Sequence, residues 1–195
     1  MIALAKRILS MKLYRYLPLV VVLLVISSYP NYPTQLQPLR EIAVGQSNEA
    51  EGFAIYLLAK DVSALDLPKD DLKRFVLQDR PVLAEADIIT YTKATHELQI
   101  SEAAFARIRQ LPHNVRGIPF IVCLGKEPIY TGAFWSPFSS INYSGVVILE
   151  PLGSERREKV IKIEMGYPNP DFAVGADPRA DKRIVDRLEA KGKLK

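Results

Sequence analysis

Apolar residues along this chain fall in short runs bounded by Gly, Pro, Asp and Asn, and only a few segments carry a helical period. Residues 53–60 (FAIYLLAK) follow Gly52 and read as a short strand, because the run is compact and bounded. Residues 72–78 (LKRFVLQ) suggest a second, ended by Asp79-Arg80-Pro81, where Pro81 biases Arg80 to an extended backbone. Residues 88–92 favour an extended chain. Residues 97–100 alternate polar and apolar, with Leu98 and Ile100 on one face. The two make a hairpin bent at 93–96. In a competing reading a helix starts at Glu85 and the strand begins only at Tyr91.

Residues 101–112 (SEAAFARIRQLP) change period. Ser101 is placed to cap a helix, Glu102 suits its positive start and Pro112 ends it. Ala104, Phe105, Ile108 and Leu111 form a stripe that should cover a sheet. Arg107 and Arg109 fall towards the other side and read as solvated surface. The densest stretch is 117–151. Residues 119–124 and 129–135 pair as a hairpin about a Gly125–Pro128 turn. Its Cys123 and Phe residues should face a core beneath the helix. Gly132 marks a bulge or a close backbone approach. Residues 136–144 form a loop of aromatics and hydroxyls, and 146–149 another buried strand. Residues 160–165 alternate as an edge or amphipathic strand would. From Asp177-Pro178 a polar helix follows, whose apolar stripe is only Ile184, Val185 and Leu188, so it should dock loosely.

Together these elements predict an α+β fold: a small, mainly antiparallel sheet with one packing helix, preceded by an N-terminal signal or anchor helix and followed by a polar C-terminal helix. The division is 1–28 signal peptide or membrane anchor, 29–50 flexible spacer, 51–167 folded domain and 168–195 helical tail.

The order LQISEAAFARIRQL, PFIVCLGKEPIYTGAF, SGVVILEP resembles the periplasmic head subdomain of the SecD translocase subunit. The likeness covers residues 95–150. The family's hairpin usually turns on Asp-Gly, where this chain has Gly125-Lys126. The resemblance implies a small extracytoplasmic α+β module, and it does not carry translocase activity with it.

Charge changes the picture at one end only. The net charge is +4, but Lys6, Arg7, Lys12 and Arg15 lie in the first 28 residues, which hold no acid. Removing those four from the 26 basic residues leaves 22 against 22 acidic, so the folded part is neutral and no nucleic-acid partner is expected. Basic residues, then the apolar run 17–26, then Ser27-Ser28 give the order of a secretory signal, with Met11 an alternative start. The basic end should stay in the cytoplasm and the rest outside, either released by cleavage or held by a single anchor.

Candidate chemistry is sparse. A lone cysteine excludes an internal disulfide. His96 and His113 belong to no ligand pattern, so no metal or cofactor is expected. Cys123 sits in an apolar run, where an inert thiol is the default, and Ser139 and Ser140 lack a nucleophile elbow. What remains is the aromatic cluster. Its members Tyr130, Phe134, Trp135, Phe138 and Tyr143 read first as core packing. In the competing reading Trp135, Phe138 and Tyr143, beside Ser139 and Ser140, line a groove suited to peptide or glycan recognition, with a protein or peptide of the cell envelope as its partner. The leading expectation is therefore a non-enzymatic module acting through these five residues and tied to the membrane by its N-terminal segment. Two alternatives are an envelope hydrolase using Cys123 or the Ser139-Ser140 loop, and a partner site on the C-terminal helix.

Overall fold

The first α-helix among the described residues shows the local rules at work. In α1 (Glu102–Arg109) the Ser101 hydroxyl accepts from the Ala104 N–H, and Ala104, Phe105 and Ile108 are buried. The computed structural model describes residues 52–67, 71–152 and 154–195. The expected signal or anchor at 1–28 and the spacer at 29–50 lie outside these residues. Among the described residues no helix is long and apolar enough to cross a membrane.

The strands are β1 (Phe53–Leu57), β2 (Leu83–Ala84), β3 (Ile88–Thr92), β4 (Glu97–Ile100), β5 (Ile118–Leu124), β6 (Glu127–Trp135), β7 (Tyr143–Leu149) and β8 (Val160–Tyr167). They form one 8-stranded sheet in the order β2-β1-β5-β6-β7-β8-β4-β3. Every pairing is antiparallel except β6 with β7. Two further helices are α2 (Ser154–Glu158) and α3 (Lys182–Ala190).

This corrects the expected small sheet with one packing helix. The sheet is large, mixed and curled. The curl follows from connectivity. β2 and β3 are the two ends of the strand order, yet only the turn Glu85–Asp87 separates them. A flat sheet of this width would hold its edges about 34 Å apart at the usual strand spacing. The chain from Ala84 to Ile88 can span at most about 15 Å. The sheet therefore bends until its edges nearly meet.

Alternation along the strands then fills both faces. The concave side holds Phe53 and Ile55, Phe120 and Val122, Val146 and Ile148, together with residues of α1 and α3. The outer side carries two smaller clusters. One joins Tyr56, Leu58, Ile121 and Cys123, covered by Phe75 and Leu77. The other joins Ala64, Ala133, Trp135, Val147 and Tyr167. Cys123 and Phe120 thus point to opposite faces, and Cys123 does not lie beneath α1 as expected. Gly132 answers to close approach: a Cβ there would meet the Phe120 ring at 2.4 Å.

Several local readings change. Residues 72–78 are a 3-10 turn at Leu72–Arg74 followed by a single bridge from Leu77 to Leu58. β8 is interior, between β7 and β4. Pro128 does not end pairing; the hairpin turns at Gly125-Lys126 and Cys123 pairs with Pro128 across an irregularity. The C-terminal helix is not a loosely docked appendage. Ile184 and Leu188 belong to the main core and Val185 is also buried. Beyond α3, the backbone of Lys193 and Lys195 pairs with Tyr91 and Lys93 along the free side of β3.

The seam between the two sheet edges carries the most buried ion pair among the described residues. The Arg187 Nε and Nη2 donate to the Glu85 carboxylate at 2.8 and 3.0 Å, and the Phe53 N–H donates to the same carboxylate at 3.1 Å. Burial pushes the Glu85 carboxyl up, but these donors and the nearby positive charges outweigh it and hold it below its ordinary value. Lys193 adds a bond from its ammonium to the Ile88 carbonyl.

Candidate functional site

Parallel pairing of β6 and β7 forces the chain to return along the sheet between Trp135 and Tyr143. Residues 136–142 make that return. This is well short of the dozen or more residues a helical crossover takes, so the segment lies as a strap against the outer sheet face. Ile141 and Tyr143 pack onto the Trp135 cluster beneath it.

The strap is held by side-chain bonds to its backbone. The Ser139 hydroxyl donates to the Val115 carbonyl at 2.7 Å and accepts from the Ile141 N–H at 3.1 Å. The Tyr167 hydroxyl is shared between the carbonyls of Pro137 and Ser139, both at 2.9 Å. The Ser136 hydroxyl accepts from the Phe138 N–H at 3.3 Å. Below, the Trp135 ring stacks on Tyr143 with centroids 4.9 Å apart, and burial raises the Tyr143 pKa. Gly117, at φ +76°, leaves room for that ring; a Cβ there would meet it at 2.3 Å.

The five residues expected at the site therefore separate. Trp135 and Ser139 are buried and belong to the fastening. Tyr143 is half-buried against Trp135, while Ser140 is exposed. Phe138 stands out, with 79% of its surface exposed between Pro137 and Ser139, both of which are bonded.

Two recesses flank the strap. Phe134, just before it, lines the first, a cleft of 210 Å³ between the end of α1, the 110–117 loop and the end of β7. Its apolar lining includes Ile108, Leu111 and Ile118, and its polar lining includes Arg109, His113, Glu150 and Arg156. His113 Nδ1 lies 2.9 Å from the Glu150 carboxylate. Asn142 and Tyr143, at the strap's far end, line the second, a shallow recess of 240 Å³ shared with Leu65, Leu67 and Phe172. Val115, Leu152, Leu65, Phe172 and Val174 add exposed apolar surface on nearby segments. Sequence reasoning missed these. A single exposed Val or Leu carries no signal, and Arg109 reads as ordinary helix surface.

The catalytic alternatives find no assembled partners among the described residues. Cys123 is fully buried, and burial pushes its thiol up to about 12, far from the thiolate a nucleophile needs. The Ser139 proton is committed to a backbone carbonyl. His96 bonds the Tyr91 hydroxyl at 2.6 Å, and His113 is engaged with Glu150. Among the described residues no group of three His, Cys, Asp or Glu side chains could hold a metal ion.

A separate polar cluster lies at the β3–β4 bend. There Arg179 donates to Asp177 at 2.6 Å and to the Ile163 carbonyl at 2.9 Å. Asp177 is held down to about 2 chiefly by that guanidinium. Burial, then the Arg179 charge, lowers the His96 pKa. Comparison with protein-family models, with curated proteins and with solved structures finds no match, so no relative assigns this arrangement a role.

Proposed function

We propose that this chain is an envelope binding module that docks a protein or peptide segment across the 136–142 strap, with Phe138 as its anchor. The observation that carries this reading is the contrast at Phe138. Its side chain is 79% exposed, whereas Ser136, Ser139 and Tyr167 fix the backbone around it. An exposed aromatic on a pre-ordered backbone loses little further freedom on binding. Flanking recesses of 210 and 240 Å³ fall below the usual volume of small-molecule pockets and suit single side chains of a longer partner.

The tether in this proposal rests on the sequence pattern of residues 1–28, and the described chain begins at Gly52. Gly52 sits beside the Gly125-Lys126 turn, its carbonyl accepting from the Gly125 N–H at 2.7 Å. That turn is at the opposite sheet rim from the ends of β6 and β7. A reporter fused after Asn31 tests this part; activity only on the cytoplasmic side would refute export.

The docking surface is tested by placing photoreactive benzoylphenylalanine at position 138 of the full-length chain in cells. Adducts of defined mass at position 138, and none with the same label at Val76 (62% exposed), are expected. Equal labelling at both positions would overturn the proposal.

A further inference from the structure

The cleft at the end of α1 combines an apolar floor with positive charge. Its floor is apolar, formed by Ile108, Ile118 and Phe134. Arg109 and Arg156 also line it, and among the described residues neither makes an ion pair. The cleft's one carboxylate, on Glu150, is already engaged by His113. Two uncommitted guanidiniums therefore face a recess with room for about one large side chain.

From this we infer that the cleft receives the C-terminal residue of a partner polypeptide, its apolar side chain on the floor and its free carboxylate held by Arg109 and Arg156. The inference rests on the reading of this chain as a binding module and specifies the partner's chemistry. Charge complementarity selects an anion, because guanidinium forks match carboxylate oxygens. Size selects the kind of anion. In a volume of 210 Å³ the apolar group and the negative charge must sit within a few bonds of each other. A C-terminal residue carries both on one Cα. An internal Asp or Glu does not meet this demand, since successive side chains of an extended segment point to opposite sides.

The test is titration calorimetry of the full-length chain in detergent with the peptide acetyl-Gly-Ser-Gly-Leu. It is run as the free acid and as its C-terminal amide, with octanoate as a lipid-like carboxylate. The acid should bind at least about tenfold more tightly than the amide, as expected for charge-assisted bonds. The double variant Arg109→Gln/Arg156→Gln should erase that preference while its circular dichroism and thermal midpoint stay unchanged. Equal affinity for acid and amide, survival of the preference in the double variant, or octanoate binding more tightly than the peptide would each overturn the assignment. Phe138→Ala should leave the acid preference intact. Loss of position-138 crosslinks with retention of the preference would therefore strike the strap reading alone.

Discussion

The seam and the strap treat polar and apolar groups in opposite ways. At the seam, charge is buried and fully engaged: Glu85 accepts from Arg187 and from the Phe53 N–H. At the strap, the N–H groups of Phe138, Ser139 and Ile141 and the carbonyls of Pro137 and Ser139 are bonded, and an aromatic side chain is left in water. The seam holds together sheet edges that the turn Glu85–Asp87 already brings close. The strap holds a surface in a fixed form. A buried, satisfied polar group has no surplus to offer a partner, whereas an exposed anchor on a rigid backbone does. Stability should therefore reside at the seam and recognition at the strap, and substitutions can separate the two.

The largest stability effect is expected from Arg187→Ala. It leaves the Glu85 carboxylate, 10% exposed, without its guanidinium. Stranding one member of a buried pair costs about 3 kcal/mol, read as a shift in the urea midpoint. Position-138 crosslinking at permissive temperature should persist. An unchanged midpoint would show that the seam is not where the fold is secured.

Acid should lower stability in two steps, the first at the β3–β4 bend and the second shared between that bend and the seam. His96 has a lowered pKa in the folded state. Its neutral form therefore favours folding above the unfolded value near 6.5, and this contribution is lost as pH falls below it. Glu85 and Asp177 are also lowered, from 4.5 and 3.8. Their contributions are present above those values and fade as pH falls towards about 2, where Asp177 titrates. Denaturation midpoints measured from pH 8 to pH 2 should fall first as pH drops below 6.5 and again below 4.5. His96→Asn, which suits the left-handed backbone at φ 55°, should remove only the first step.

Much of this organisation was legible where the signal is local. The hairpin of β3 and β4 follows from alternation and a polar bend, and the α1 cap follows from Ser101 and Glu102. What was not legible is pairing between distant strands. The alternation of β8 is the same for an edge strand and for an interior strand whose outer face is uncovered. Nothing in residues 136–142 announces a return to parallel register, yet that return places Trp135 inside. The aromatics that looked surplus to a turn are mostly spent on the outer cluster with Tyr167. Ile184, Val185 and Leu188 gave too narrow a stripe to reveal that the gap in the curled sheet closes over them.

A smaller effect should come from Ser139→Ala. It removes the donor to the Val115 carbonyl and the acceptor for the Ile141 N–H. The expected loss is about 1–2 kcal/mol. Amide exchange should rise at Ile141 and leave the β1–β5 pairing unchanged. Uniform acceleration of exchange across the sheet would place the strap within the global folding unit and blur the distinction from the seam.

Phe138→Ala should have the smallest effect on stability and the sharpest meaning. The side chain is 79% exposed, and the bond from the Phe138 N–H to Ser136 does not depend on it. Surface substitutions of this kind fall within about 0.5 kcal/mol. A midpoint shift well beyond that would mean the ring is needed to hold the strap, and its exposure would no longer point to a partner. An unchanged midpoint, with pull-down of the segment trapped at position 138 falling about tenfold, would place the cost of the substitution in recognition alone.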